Sequence, residues 1–146
     1  MLVDWFEDID TLLEEEQATY GGNGNRMSKE AYVSYMTART KQAAIGVINL
    51  MEKTGNSPAL SVIRFQLIKL ATSAAANYRA ACRTRSKKEF FSKLSIVVEE
   101  TDETVYWLEV ALESDVKCDE AAVKQLHNEW EQLLKIMAKA RATVRT

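Results

Sequence analysis

The fold of this chain is decided by residues 57–90, which read SPALSVIRFQLIKLATSAAANYRAACRTRSKKEF. Ser57 followed by Pro58 is a strong helix start, because a serine side chain can cap free backbone N–H groups and proline fits the first helical position. Apolar residues then recur at alternating steps of three and four, which predicts a heptad-like seam along one helix face. Ser86 with Glu89 has the spacing of a capping box, so another helix is expected to begin there. The seam comprises Leu60, Ile63, Leu67, Leu70, Ala74, Tyr78 and Ala81.

The same alternation of apolar residues extends on both sides of this stretch. It predicts a helix from about Ser28 to Lys53, which stops before Gly55, and a last helix that starts near Asp119. Only five glycines and one proline occur in 146 residues, so few positions force a break, and short connections require antiparallel neighbours. We therefore expect an all-α fold, an antiparallel up-down-up-down four-helix bundle over residues 28–146.

Residues 1–27 differ in composition and predict an extra N-terminal amphipathic helix followed by a Gly/Asn linker at 21–25. Seven acids stand against a single base, Arg26. The segment is too short to fold alone, so it must dock on something or fray. A second interpretation is that Met27 is the natural start and that the residues before it are an extension. The apolar face of the predicted helix is formed by Leu2, Trp5, Phe6, Ile9, Leu12 and Leu13.

Charge is segregated along the rest of the chain. Residues 64–93 contain eight bases and one acid, whereas residues 99–120 contain nine acids and one base. The densest part, here called the basic cluster, could bind phosphate through charge and counterion release. The other interpretation is a solvated bundle end whose bases pair with acids of a neighbouring helix or subunit. No aromatic platform interleaves these bases, so sequence-specific base reading is not indicated. The basic cluster comprises Arg79, Arg83, Arg85, Lys87 and Lys88.

The residue patterns that carry catalysis are missing. His127 is the one histidine; it adjoins the seam position Leu126 and is interpreted as a surface or interface residue. The chain has neither the Glu-x-x-His pairs of di-iron bundles nor a zinc pattern, and its GGNGN stretch lacks the lysine and strand of a phosphate loop. We expect no enzyme activity, no catalytic residues, no metal, no cofactor and no small-molecule substrate.

The compartment is inferred from the N-terminus and the cysteines. The first residues are acidic and amphipathic, unlike the basic start and apolar run of a signal peptide. Cys82 and Cys118 form no closely spaced pair and are interpreted as buried or half-buried thiols. The longest apolar runs are too short to span a bilayer. We expect a cytoplasmic protein with no membrane partner.

Two polar residues beside the seam of Leu60 to Ala81 are interpreted as structural. Ser73 and Asn77 lie four residues apart on the part of that helix that is rich in small residues. A buried asparagine in a bundle can fix register and partner choice, or can hydrogen-bond a backbone group where the helix ends. Trp107 and Trp130 are interpreted as core or interface anchors.

The stretches 73–90 and 93–109, the second of which reads KLSIVVEETDETVYWLE, resemble the four-helix-bundle family named for the 23S rRNA-intervening-sequence protein. In that family a Ser-x-x-x-Asn signature ends the second helix, and a basic turn and a Ser-Lys-x-Glu-Phe helix start follow. The resemblance covers about residues 28–145 and leaves 1–27 outside it. The matching positions are Ser73, Asn77, Arg79, Ala80, Arg83, Arg85, Ser86, Lys87, Glu89 and Phe90, with Trp107 in the acidic stretch.

The resemblance implies the same bundle and a ring-shaped homo-oligomer, a pentamer. It implies no well-defined activity. A related branch, the accessory variability proteins of diversity-generating retroelements, consists of basic pentameric barrels that engage RNA and a reverse transcriptase. This chain is less basic, with a formal net charge of −2.

Two functions follow as hypotheses. The first is a non-enzymatic oligomeric scaffold that binds RNA, or a nucleic-acid enzyme such as a reverse transcriptase, through the basic cluster. The second is a protein-interaction adaptor with no nucleic-acid role. In the second, the acidic helix at 1–19 docks on a basic partner or on the chain's own residues 79–88.

Overall fold

The computed structural model describes residues 28–144, which form four helices and no strand. The expected all-α four-helix bundle is thereby confirmed, whereas the predicted N-terminal helix and linker at 1–27 lie outside the described residues. The helices are α1 (Lys29–Glu52), α2 (Pro58–Ala81), α3 (Lys87–Glu113) and α4 (Glu120–Val144).

Each helix begins at a polar side chain that accepts a hydrogen bond from the first turn. The caps of α1, α2 and α3 are Ser28, Ser57 and Ser86, the serines at which the sequence predicts that these helices start. Asp119 caps α4, because its Oδ1 accepts from the N–H of Ala122 at 3.1 Å. Such caps satisfy N–H groups that have no partner inside the helix.

The end of α1 is stabilised by an arginine of the next helix. α1 stops at Glu52, and the guanidinium of Arg64 in α2 donates to the carbonyl oxygens of Met51, Thr54 and Gly55 at 3.4, 3.2 and 2.7 Å. These carbonyls lie at or just beyond the last turn, where backbone acceptors lack helical partners. The connection from α1 to α2 is therefore tied to the body of the bundle.

The core lies along the predicted seams. Every predicted seam residue of α2 is buried, and so are most of those on the other helices. Consecutive helices pack side by side, and α1 closes the bundle against α4 with a thinner contact. Trp130 of α4 is 1% exposed, which identifies it as a core anchor. The largest fully buried side chains are Trp130, Met36, Met51, Leu67, Leu94, Leu108, Leu133 and Met137.

Among the described residues, α2 is the one helix long and apolar enough, by length and composition, to cross a membrane. The longest uninterrupted apolar runs in the sequence are too short to span a bilayer, but such a run can be part of a longer helix that meets this criterion. One face of α2 is buried against its neighbours, with Leu67 and Ala71 wholly inaccessible. A core helix of a bundle meets the same criterion as a membrane span.

Two grooves run along α1. The groove between α1 and α4 has a volume of about 1070 Å³. Arg39 of α1 lines this groove. It forms an ion pair with Glu129 of α4 and donates to Gln132 Oε1 at 3.0 Å. The second groove, between α1 and α2, has a volume of about 750 Å³.

Candidate nucleic-acid interface

The basic cluster lies on a turn that is held by its own backbone. After α2 ends, the N–H groups of Arg83 and Thr84 donate to the carbonyls of Ala80 and Ala81 at 3.0 and 3.2 Å. The Thr84 hydroxyl donates to the same Ala81 carbonyl at 2.7 Å. The last carbonyls of α2 are therefore satisfied locally, and the turn holds its shape without a partner.

The start of α3 completes this turn. Ser86 Oγ accepts from the N–H of Glu89 at 3.1 Å, as the capping box predicts. The Glu89 carboxylate also reaches back, where its Oε2 accepts from the N–H of Arg85 at 3.0 Å. Phe90 follows as a core residue, 3% exposed. The motif Ser86, Glu89 and Phe90 thus fixes the direction in which α3 leaves the turn.

The structure divides the basic cluster between two faces. Arg79 and Arg83 line the groove between α1 and α2. Arg83, Arg85 and Lys88 line a shallow groove between α2 and α3. Lys87 is half-buried and lines neither of these two grooves. Only Arg83 contributes to both faces, so the cluster is a belt around the turn and not one patch.

Two further lysines join these faces, and the sequence analysis did not include them in the site. Lys41 of α1 lies on the groove with Arg79 and Arg83, and Lys93 of α3 lies on the groove with Lys88. Lys93 belongs to the basic stretch of residues 64–93, so it could have been included in the predicted site from the sequence. Lys41 is 38 residues before Arg79 in the chain, and no local pattern connects them.

Four of the five bases in the basic cluster are not neutralised by acids within residues 28–144. Arg79, Arg83, Arg85 and Lys88 form no ion pair with another described residue. The acids in residues 109–120 lie at the opposite end of the antiparallel bundle, because α3 runs away from the turn. The alternative interpretation is that these bases pair with acids of a neighbouring helix or subunit. Arg79, Arg83, Arg85 and Lys88 form no such pair with a helix in residues 28–144.

Ser73 and Asn77 form a polar contact between α2 and α3. The Asn77 side-chain amide donates to Glu100 Oε1 at 2.8 Å and contacts Ser73 Oγ at 3.3 Å. All three residues are half-buried. The side-chain partner of Asn77 on the next helix is thus a carboxylate, and not the backbone group considered from the sequence.

Trp107 packs against the core, and His127 lies between α3 and α4. Trp107 is half-buried, and its ring meets Tyr106 edge to face at 5.4 Å. His127 Nε2 lies 3.1 Å from Glu109 Oε1, which joins α4 to α3. No group of three His, Cys, Asp or Glu side chains suited to a metal ion occurs within residues 28–144.

Both cysteines of the chain are free thiols, as expected. Cys82 is buried beside Arg83, and Cys118 is half-buried. Burial raises the pKa of the Cys82 thiol to about 11, while weaker effects of Tyr78, Thr37 and Arg83 act in the opposite direction. Burial, with smaller effects of Glu120 and Asp119, also raises the pKa of Cys118. Neither thiol has the lowered pKa of a reactive cysteine.

Comparison with known proteins defines the chain's relatives. The fold matches the 1.70 Å crystal structure of a protein of unknown function from the S23 ribosomal protein family of Bacteroides thetaiotaomicron, with a TM-score of 0.67 and 24% sequence identity over 75% of this chain and 97% of that one. No curated protein matches in sequence. The family model of the 23S rRNA-intervening sequence protein matches residues 35–139, which include α2, the basic turn and α3. The chain therefore belongs to the 23S rRNA-intervening sequence protein family.

Proposed function

We propose that this protein is a non-enzymatic oligomeric scaffold that binds RNA through the belt of basic residues around the α2–α3 turn. The observation that carries the proposal is that Arg79, Arg83, Arg85 and Lys88 form no ion pair within residues 28–144 while their turn is held by hydrogen bonds. Unpaired guanidinium and ammonium groups on a preformed backbone suit phosphate, which they bind through charge and counterion release.

Recognition of the phosphate backbone, and not of bases, fits the composition of the turn. No aromatic side chain lines the groove that holds Arg85, Lys88 and Lys93; its apolar members are Ala80 and Ile96. Base stacking needs an aromatic or planar platform. The same proposal extends to a protein partner. The resemblance to retroelement accessory proteins implies that this partner is a nucleic-acid enzyme such as a reverse transcriptase.

Self-association would raise the affinity of the belt for RNA. The resemblance implies a pentameric ring. Each chain carries several exposed apolar side chains on the outside of the bundle, including Phe65 at 63% and Val62 at 53% exposure on successive turns of α2. Extra exposed apolar surface is typical of chains that associate. A ring would repeat the belt, and several weak contacts would add to a useful affinity.

The test compares two charge-reversal variants of equal charge. Arg83→Glu/Lys88→Glu changes the belt, and Lys53→Glu/Lys117→Glu makes the same change in charge at the opposite end of the bundle. Binding of a structured RNA is followed by fluorescence anisotropy at several salt concentrations. We expect the belt variant to lose affinity and to lower the slope of log affinity against log salt by about 2, with little change in the control.

Light scattering on the same samples measures the mass of the protein with and without RNA. A mass of several chains that rises with RNA at low salt supports the scaffold. If both variants bind RNA as well as the wild type, the belt is not the interface and this proposal is wrong. If the wild type binds no RNA at low salt, the adaptor without a nucleic-acid role replaces it.

A further inference from the structure

We propose that the acidic amphipathic segment at residues 1–19 of this chain docks in the groove between α1 and α2. The proposal concerns a contact within the protein and does not depend on RNA binding. It joins two features that are otherwise unexplained: a groove with apolar walls and basic edges, and a segment whose sequence has an apolar face and seven acids.

The groove has the chemistry of a helix-binding surface. Its walls include Val33, Ile45 and Ile48 of α1, which are half-buried, with Ala75 of α2 and the buried Cys82 opposite them. A groove lined by aliphatic side chains accepts the apolar face of an amphipathic helix. The face predicted in residues 2–13 supplies six large apolar side chains, including Trp5 and Phe6.

The edges of the groove complement the charge of the segment. Lys41, Arg79 and Arg83 line it, and none of them forms an ion pair with another described residue. One acid, Glu30, also lines the groove. Residues 1–19 contain seven acids and no base. Opposite charges at the rim of an apolar contact favour one partner and orient it.

The geometry allows the segment to reach the groove. The groove begins at Glu30 and Val33, at the N-terminal end of α1, and residues 20–27 connect the segment to Ser28. Residues 20–27 can span up to about 28 Å when extended. A helix over residues 2–13 is about 18 Å long, and the stretch of α1 from Val33 to Ile48 is about 22 Å.

Methyl NMR on the full chain labelled at isoleucine tests the contact from both sides. Ile9 reports on the segment, and Ile45 and Ile48 report on the groove. Phe6→Glu places a charge on the predicted apolar face and changes no residue within 28–144. We expect it to shift the Ile45 and Ile48 signals while the core residue Ile63 stays unchanged. The matched control is Thr11→Glu, which adds the same charge on the opposite side of the predicted helix and should move neither signal.

The reciprocal variant Arg79→Glu/Arg83→Glu should shift Ile9 in the same sense as raised salt does, whereas Lys53→Glu/Lys117→Glu should leave it in place. If Phe6→Glu leaves Ile45 and Ile48 where they are, the segment does not occupy the groove and the proposal is wrong. The same result is expected if a second copy of the bundle or another protein fills the groove. A protein that shows these shifts and binds no RNA supports the docking while it contradicts the proposed function.

Discussion

Several side chains in this protein form hydrogen bonds across helix boundaries. Arg64 was counted among the bases of a charged stretch, yet its guanidinium satisfies three carbonyls at the end of α1. Asn77 joins α2 to Glu100 on α3. The charge of a residue along the sequence therefore says little about its role, because a base used as a helix cap is not available to a ligand.

The Asn77 contact should contribute to stability. Asn77→Ala removes a hydrogen bond to a half-buried carboxylate, and we expect it to lower the free energy of unfolding by about 1–2 kcal/mol. Asn128→Ala is the control: Asn128 is exposed on α4, and its loss should change stability by less than about 0.5 kcal/mol. Urea denaturation at one protein concentration measures both. Equal losses for the two variants would show that the Asn77–Glu100 contact adds nothing.

At the scale of elements, each helix is specified by local signals and then tied to its neighbours. The caps Ser28, Ser57, Ser86 and Asp119 all follow from local spacing. Polar contacts at the edges of the core tie each pair of neighbouring helices. They involve Arg64 for α1 and α2, Asn77 for α2 and α3, His127 for α3 and α4, and Arg39 for α1 and α4.

The cap of α1 by Arg64 should need a guanidinium. Arg64→Met leaves carbonyls at the helix end with fewer partners, and we expect a loss of about 1–2 kcal/mol in the free energy of unfolding. Arg64→Lys should recover only part of it, since one ammonium cannot reproduce the spread of donors on a planar fork. Lys93→Met removes an exposed base with no ion-pair partner in residues 28–144 and serves as the control. Thermal unfolding that treats Arg64→Met and Lys93→Met alike would contradict this role.

The whole molecule has two ends of different charge. The belt lies at the end where α2 leads into α3, together with the start of α1, and the acids of 109–120 lie at the other end. Residues 1–19 are the one strongly acidic segment attached beside the belt. If they occupy the groove, they cover Arg79 and Arg83 and compete with any phosphate for them.

Release of that segment should strengthen RNA binding. We expect Phe6→Glu to raise the affinity for a structured RNA several-fold at low salt, because two guanidinium groups become available. Thr11→Glu adds the same charge without disturbing the predicted apolar face, and it should slightly weaken binding or leave it unchanged. Fluorescence anisotropy measures both variants. Equal affinities for the two would mean that the segment does not shield the belt.

Much of the fold followed from the sequence, and less of the candidate site did. The heptad-like seams located the four helices and nearly the whole core, because helical periodicity is a property of residues three and four apart. The basic turn and its capping box were recognisable for the same reason. The placement of Lys41 on the same groove as Arg79 was not, since those residues are far apart in the chain and line one groove only when α1 lies against α2.

The sequence by itself therefore determined the helices, their caps, the buried face of each and the turn that carries the bases. Only the tertiary structure decided which way those bases face, which carbonyls Arg64 satisfies, and that a groove with apolar walls and basic edges lies beside the start of α1. The physical reason is range: caps and periodicity depend on interactions within one or two turns, whereas contacts between helices depend on how their faces pack and at which register.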